Sequence, residues 1–381
     1  MDFTLSKIHE QTRDLVRTFA EKELAPGAQA RDEEERFDRS IFDKMAGIGI
    51  TGIPYPEVYG GGGLDHLANV IAIEEISKVD AAVGSDLSIH SALASWVLSE
   101  FATDAQKQAY LKPLAEGSWL AAFSLTESNA GSDAASIRTT ALRAGHAYVL
   151  NGSKVFTSNG GVADVYIVFA KTDPGASGDG MSAFIVEQGW AGFTAGKPER
   201  KMGIRAHTVS ELIFDHCRVP GENLLGKEGQ GLAIAMRALQ SGRLGMSAQA
   251  LGIAEAAYDH ARTYALSRVQ FGQPLAAMQS IQFKLAEMAI KLETARLLVY
   301  EAAWRQSQGT PFGLQSAMAK AHVSTVAMDI ASEAIQIHGG YGFIRDFPVE
   351  RLLRDAKITQ IYTGTVEMQK LEIAKTILGS P

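Results

Sequence analysis

The stretch Ala147-Tyr-Val-Leu-Asn-Gly-Ser-Lys-Val-Phe-Thr-Ser-Asn-Gly160 decides the fold class. It alternates, is rich in β-branched and aromatic residues, and holds an Asn-Gly pair at Asn151 and Gly152, so it reads as strand. VYIVFAK (165–171), SAFIVEQ (182–188) and SELIFDHCRV (210–219) follow, each bounded by Gly, Pro, Asp or Ser. Several short strands with such punctuation predict an all-β sandwich or barrel-like domain in mid-chain. The pattern on either side is helical. From Lys7 to Leu24, apolar residues at Ile8, Leu15, Val16, Phe19 and Leu24 recur at helical spacing, and the same period returns at 67–76 and 83–101. After Gly231 it lasts to the end. Between Gln282 and Gln306, residues from Phe283 to Tyr300 form an apolar surface wide enough to require a bundle or another subunit as cover. The chain therefore reads as α+β, with a helical domain over 1–118, a central β domain over 119–228 and a helical bundle over 229–381.

Composition narrows the function. With 36 Lys and Arg against 43 Asp and Glu, the net charge is −7, which argues against a nucleic-acid binder. A single cysteine, Cys217, excludes an internal disulfide framework and a cysteine metal cage, and fits a reducing compartment. The charged N-terminal stretch does not read as a secretory signal, and no apolar run is long enough to span a membrane. A cytoplasmic protein is expected. No G-x-G-x-x-G follows a strand, GKEGQG (226–231) lacks the order of a phosphate loop, and the nine histidines form no pair at metal-ligand spacing. No metal is expected.

More specific segments occur in order: PEVYGGGGLD (56–65), FSLTESNAGSD (123–133), FTSNGG (156–161), RVQFGQPL (268–275), QIHGGYGF (336–343) and RDAKITQIYTGTVEMQ (354–369). In these the chain closely resembles the FAD-dependent acyl-CoA dehydrogenase family, essentially end to end. The resemblance implies a C-terminal four-helix bundle, a homotetramer, an acyl-CoA substrate and an electron-transfer flavoprotein as acceptor. It implies that Phe123, Leu125 and Thr126 meet the flavin ring, that Gly131 and Ser132 form a phosphate-binding turn, that Phe156 covers a ring face and that Ser158 offers a hydroxyl. Arg268, Phe271, Gln279, Gln336, Gly339 and Gly340 match positions that hold the adenine and pyrophosphate end, often across a subunit boundary, with Thr365 and Glu367 completing the set. Arg243 matches the arginine near the pantetheine arm, and Ser132, His90, Ser91 and Tyr362 fall on the substrate side.

One departure carries the information. Family members take the proton alpha to the thioester with a glutamate in I-Y-E-G-T or, in a minority, one residue before the arginine of the first bundle helix. Here those positions are Thr363 and Gly242. A threonine hydroxyl is no general base at working pH, although its backbone N–H is retained for the thioester oxygen. Asp86 stands where relatives carry a small neutral residue on the helix lining the acyl pocket, with His90 one turn on as its expected partner. Asp86 reads either as a helix cap near Ser85 or as a relocated base with a raised pKa. The second fits members that form cyclic dienes from substrates such as cyclohex-1-ene-1-carboxyl-CoA by 1,4-elimination. The alternatives are an ordinary short-chain dehydrogenase whose base has been replaced by Thr363, a non-oxidising acyl-CoA binder (a desulfinase-like lyase or inactive subunit), and a flavin monooxygenase branch, against which Arg243 and Ser132 count.

Overall fold

The computed structural model describes residues 4–176 and 180–379. Helices come first: α1 (Lys7–Phe19), α2 (Ala28–Glu34), α3 (Arg39–Gly47), α4 (His66–Val79), α5 (Ala81–Ser88) and α6 (Ser95–Phe101), then the short α7 (Asp104–Gln106) and α8 (Lys112–Ala115). Acidic caps start the two helices that matter most for the site. Asp65 accepts from the Ala68 N–H at the head of α4, and Asp80 accepts from the Ala82 and Val83 N–H groups at the head of α5. α5 runs into a π-helical segment, Ile89–Ala94, before α6. Every residue of α5 and of this segment is buried, so the helix is enclosed on all sides.

The strands follow: β1 (Ala121–Ser124), β2 (Thr140–Ala144), β3 (Ala147–Ser158), β4 (Val165–Lys171), β5 (Met181–Glu187), β6 (Phe193–Pro198), β7 (Val209–Pro220) and β8 (Leu224–Leu225). They form one sheet in the order β6-β7-β3-β2-β4-β5-β8, with β1 parallel beside β4. β3 and β7 are long and antiparallel, interrupted by register shifts at Leu150/Gly152 and Lys154/Thr157. The Asn-Gly pair is thus a bulge within a strand, not a chain reversal. Gly152 has φ +141, and a Cβ there would come within 2.6 Å of Thr139 Oγ1.

GKEGQG connects β8 to the long α9 (Gly231–Ser267). A small hairpin, β9 (Val269–Gln270) and β10 (Gln273–Pro274), leads to α10 (Gln279–Ser307), α11 (Gly313–His338), α12 (Val349–Thr359) and α13 (Val366–Leu378). α9 is the axle of the molecule and packs along α11, α4 and α10. Its glycines permit close approach: a Cβ on Gly245 would lie 2.3 Å from Ser88 Oγ, and one on Gly252 would lie 2.3 Å from the Glu74 carbonyl oxygen. α10 buries Met288, Leu292, Ala295 and Val299 against the bundle, while Phe283, Ile290, Leu297 and Trp304 recur every seven residues on the opposite, exposed face. Among the described residues no helix is long and apolar enough to cross a membrane.

Candidate active site

Asp86 lies in the interior of α5, six residues beyond the capping Asp80, so it caps nothing. It is buried, and its Oδ1 accepts a hydrogen bond from His207 Nδ1 at 2.6 Å. Asn159, at positive φ just after β3, donates to the Asp86 carbonyl (3.4 Å) and to the Ala121 carbonyl (3.0 Å), fixing α5 to the sheet. Burial pushes the Asp86 carboxyl above its ordinary range, and the bond from His207 works in the opposite direction.

The expected pairing of Asp86 with His90 does not form. A π-helical segment begins at Ile89, so the four-residue register from Asp86 to His90 is broken one residue before the histidine. His90 Nε2 meets the Leu114 carbonyl at 3.1 Å, and its Nδ1 accepts from the Ala121 N–H at 3.2 Å. Burial holds its pKa down at about 4. His90 is a neutral pin between helix and sheet. The Ser91 hydroxyl donates to the Leu87 carbonyl within its own helix, and Tyr55 donates to the Ser91 carbonyl. Neither side chain is placed as a substrate contact by these bonds.

Thr363 sits in the loop between α12 and α13 with φ +54, a conformation that costs a β-branched residue energy. The loop is tied down from several sides. Lys320, fully buried on α11 and pushed down to about 7 by burial, donates to the Gly364 carbonyl, as does Gln369 at 3.0 Å. Tyr362 donates to Gln249 Oε1, and the Gln249 amide donates to Ala81 O and Ser85 Oγ. Thr365 caps α13. A Cβ built on Gly242 would lie 3.4 Å from Thr363 Cγ2 and 2.8 Å from Leu93 Cδ1. The two positions from which a glutamate is missing therefore converge on one point, and neither carries a carboxylate. Beside them Arg243 is buried. Its Nη2 donates to Glu372 at 2.5 Å, and Nε and Nη1 have no hydrogen-bond partner among the described residues, which leaves two donors for a ligand.

The residues expected at a flavin form two groups. In the β domain, Phe123 and Leu125 are buried at the end of β1, Thr126 is half-buried, and Ser158 closes β3. Lys154, fully buried, fixes this segment by donating to Glu127 Oε1 (2.7 Å) and the Leu125 carbonyl (3.1 Å). Phe156 occupies the second bulge of β3 at φ +55 and is 66% exposed. An aromatic held outward on strained backbone is what a planar ligand would cover. Gly131 has open space where a side chain would stand, and Ser132 is exposed. The second group lies on the bundle. Arg268, Gly339 and Gly340 line a cleft of about 460 Å³ with Tyr264, Ile337 and Tyr341, and none of the β-domain residues enters it. Arg268 stacks over Tyr341 at 5.4 Å and pairs with no carboxylate among the described residues. Phe271 is 93% exposed at φ +52, and Gln279, Gln336 and Glu367 are exposed as well. These features fit a ligand with one flat and one anionic end.

Models of the acyl-CoA dehydrogenase N-terminal, middle and C-terminal domains match residues 6–118, 122–217 and 229–378. The chain belongs to the acyl-CoA dehydrogenase family. An acyl-CoA dehydrogenase of Bacillus subtilis is 52% identical over 96% of this chain and 97% of its own length. The solved butyryl-CoA dehydrogenase of Megasphaera elsdenii is 48% identical, with TM-score 0.98 and coverage of 99% and 100%. A chain solved in work on the electron transferring flavoprotein of Acidaminococcus fermentans is 48% identical, with TM-score 0.99 over the full length of both. As an acyl-CoA dehydrogenase the protein has this family's fold, takes FAD and is an oxidoreductase of acyl-CoA CH–CH bonds. Sequence reading missed His207, which lies 121 residues from Asp86, and Lys320, an unremarked residue in a helix. Neither carries a motif or spacing signal.

Proposed function

We propose that this acyl-CoA dehydrogenase oxidises an alicyclic enoyl-CoA, such as cyclohex-1-ene-1-carboxyl-CoA, by 1,4-elimination with Asp86 as the base. The observation that carries the reading is where carboxylates stand. None is at the Gly242–Thr363 point, and Asp86 is buried on α5, the helix that the resemblance makes the lining of the acyl pocket, bonded to His207 and with its pKa raised by burial. A substrate whose α-carbon is already sp2 has no α-proton, and conjugation makes its γ-proton acidic. Asp86 accepts that proton: the γ C–H bond breaks, an O–H bond forms on the carboxylate, and the electron pair spreads toward the thioester oxygen. The Thr363 N–H stabilises that oxygen as charge develops, and Lys320 and Gln369 hold the loop that presents it. Arg243, with two unpartnered donors, holds the ligand on the other side.

FAD, when bound, would supply the acceptor for the hydride lost from the saturated ring carbon on the other side of the α-carbon, the second C–H bond broken in forming the diene. Phe123, Leu125, Thr126, Phe156 and Ser158 hold its ring end, and Gly131 and Ser132 a phosphate. Arg268, Phe271, Gln279, Gln336, Gly339 and Gly340, with Thr365 and Glu367, hold the remainder from a second copy of the chain. The separation of the two groups supports a shared site, and the exposed Phe283–Ile290–Leu297–Trp304 stripe supports a homotetramer. An electron-transfer flavoprotein is the proposed acceptor, supported by the likeness to the Acidaminococcus chain. A cytoplasmic setting completes the proposal.

Likeness to a butyryl-CoA dehydrogenase and to a short-chain specific acyl-CoA dehydrogenase favours a second reading, oxidation of a saturated short-chain acyl-CoA. Anaerobic titration with cyclohex-1-ene-1-carboxyl-CoA and butyryl-CoA, followed by flavin absorbance, separates the two. Bleaching by the cyclic thioester alone supports the proposal, and bleaching by butyryl-CoA alone supports the rival.

A further inference from the structure

Two fully buried histidines lie near α5 and are used differently. His90 has partners on both ring nitrogens. His207 has one: Nδ1 holds Asp86, while Nε2 has no hydrogen-bond partner among the described residues. An unpartnered buried ring nitrogen costs about 1–3 kcal/mol, so a histidine kept for structure would be completed on both sides, as His90 is. The loop carrying His207 is also held against its own preferences. Ile204, β-branched, has φ +42 and donates its N–H to Asp355 Oδ1 at 2.5 Å. A Cβ on Gly203 would come within 2.2 Å of the Arg354 carbonyl, and the His207 N–H closes the turn on Ile204 O at 3.0 Å. α12 thus sets where His207 stands.

We propose that His207 is a positioning residue for Asp86, holding Oδ1 so that the second carboxylate oxygen is free for the substrate proton. The inference rests on Asp86 being the base. Burial favours the neutral carboxyl and the His207 bond favours the anion. The other charges acting on the pair are Lys201 on the same loop, which favours the anion, and Asp80 at the head of α5, which opposes it. Glu35 faces Lys201, Asp355 lies under the loop, and Asn159 contributes only a neutral amide. No proton passes to His207 in the step. The hydrogen lost from carbon ends on Asp86.

The test compares the holoenzyme with His207→Ala and His207→Asn. Asp86 is titrated by infrared spectroscopy with labelled aspartate, and kcat and KM for cyclohex-1-ene-1-carboxyl-CoA are measured against pH. In His207→Ala the protonated-carboxyl band and the acid limb of kcat should move up together by about one pH unit or more. At neutral pH kcat should fall by roughly 10- to 100-fold with KM changed less than about threefold. His207→Asn, whose amide can supply the lost N–H, should recover most of both. An unmoved band in His207→Ala overturns the inference. If the wild type does not oxidise the cyclic thioester, the functional reading fails, and the infrared titration still decides the His207 role: a shifted band supports it and an unshifted one overturns it.

Discussion

Glu74 and Asp86 are both carboxylates buried beside α9, and their surroundings differ. Glu74 accepts from Arg296 at Oε1 (3.3 Å) and from Tyr300 at Oε2 (2.6 Å). Arg296 also holds Glu255, which pairs with Lys78, and Lys78 reaches Asp259. That network closes on itself and joins α4, α9 and α10. Among the described residues Asp86 has one side-chain hydrogen-bond partner, His207, whose Nε2 is itself without a hydrogen-bond partner. Buried polar networks tend to be satisfied where they serve the fold. The Glu74 network ties helices together, and the Asp86–His207 pair is the one to which we assign proton removal.

The largest stability effect should come from breaking the closed network. Arg296→Met takes the cation from Glu255, held as an anion by Lys78 and Arg296, as well as from Glu74, whose carboxyl burial pushes up to about 7. It should cost about 3–5 kcal/mol in urea denaturation, with turnover per folded molecule nearly unchanged. His207→Ala should cost less than about 2 kcal/mol, because Asp86 can take up a proton. A reversed order would break the comparison.

A pH effect sharpens it. Burial holds His90 down at about 4, against 6.5 when unfolded. Between those values the unfolded chain binds more protons than the folded one, so stability is fully present above pH 6.5 and is lost as pH falls toward 4. The loss should be about 3 kcal/mol over that window. His66, also held at about 4 by burial, adds in the same direction. Burial pushes Glu74 and Asp355 up to about 7, which works the other way as pH falls. The His90 contribution is therefore read as a difference: between pH 7.5 and pH 5 the midpoint of His90→Gln should fall less, or rise more, than that of the wild type. The smallest effect is at Thr363. Thr363→Gly relieves a β-branched residue at positive φ and should leave stability within about 1 kcal/mol, and turnover within about threefold, because the role proposed for this position falls to its backbone N–H, which glycine keeps. A large loss of turnover would give the hydroxyl a role.

The α+β class was legible because strand and helix periods differ so plainly around Ala147–Gly160, and the motifs of the flavin site are local in sequence. The missing glutamates were legible at Gly242 and Thr363 as identities, but not their meeting at one point, which only the packing of α9 against the α12–α13 loop creates. The Asp86 partner was misassigned because spacing assumes an α-helix and the chain turns π-helical at Ile89. His207 was invisible for a simpler reason: its loop reaches Asp86 through contacts with α12 that no local pattern encodes.

We propose that proton removal has moved from the Gly242–Thr363 point to Asp86. Stopped-flow flavin bleaching by cyclohex-1-ene-1-carboxyl-CoA under anaerobic conditions, in wild type and Asp86→Asn, tests it most directly. The variant should keep its FAD and its unfolding midpoint and bleach about 10²- to 10⁴-fold more slowly. Equal rates in the two proteins would contradict it.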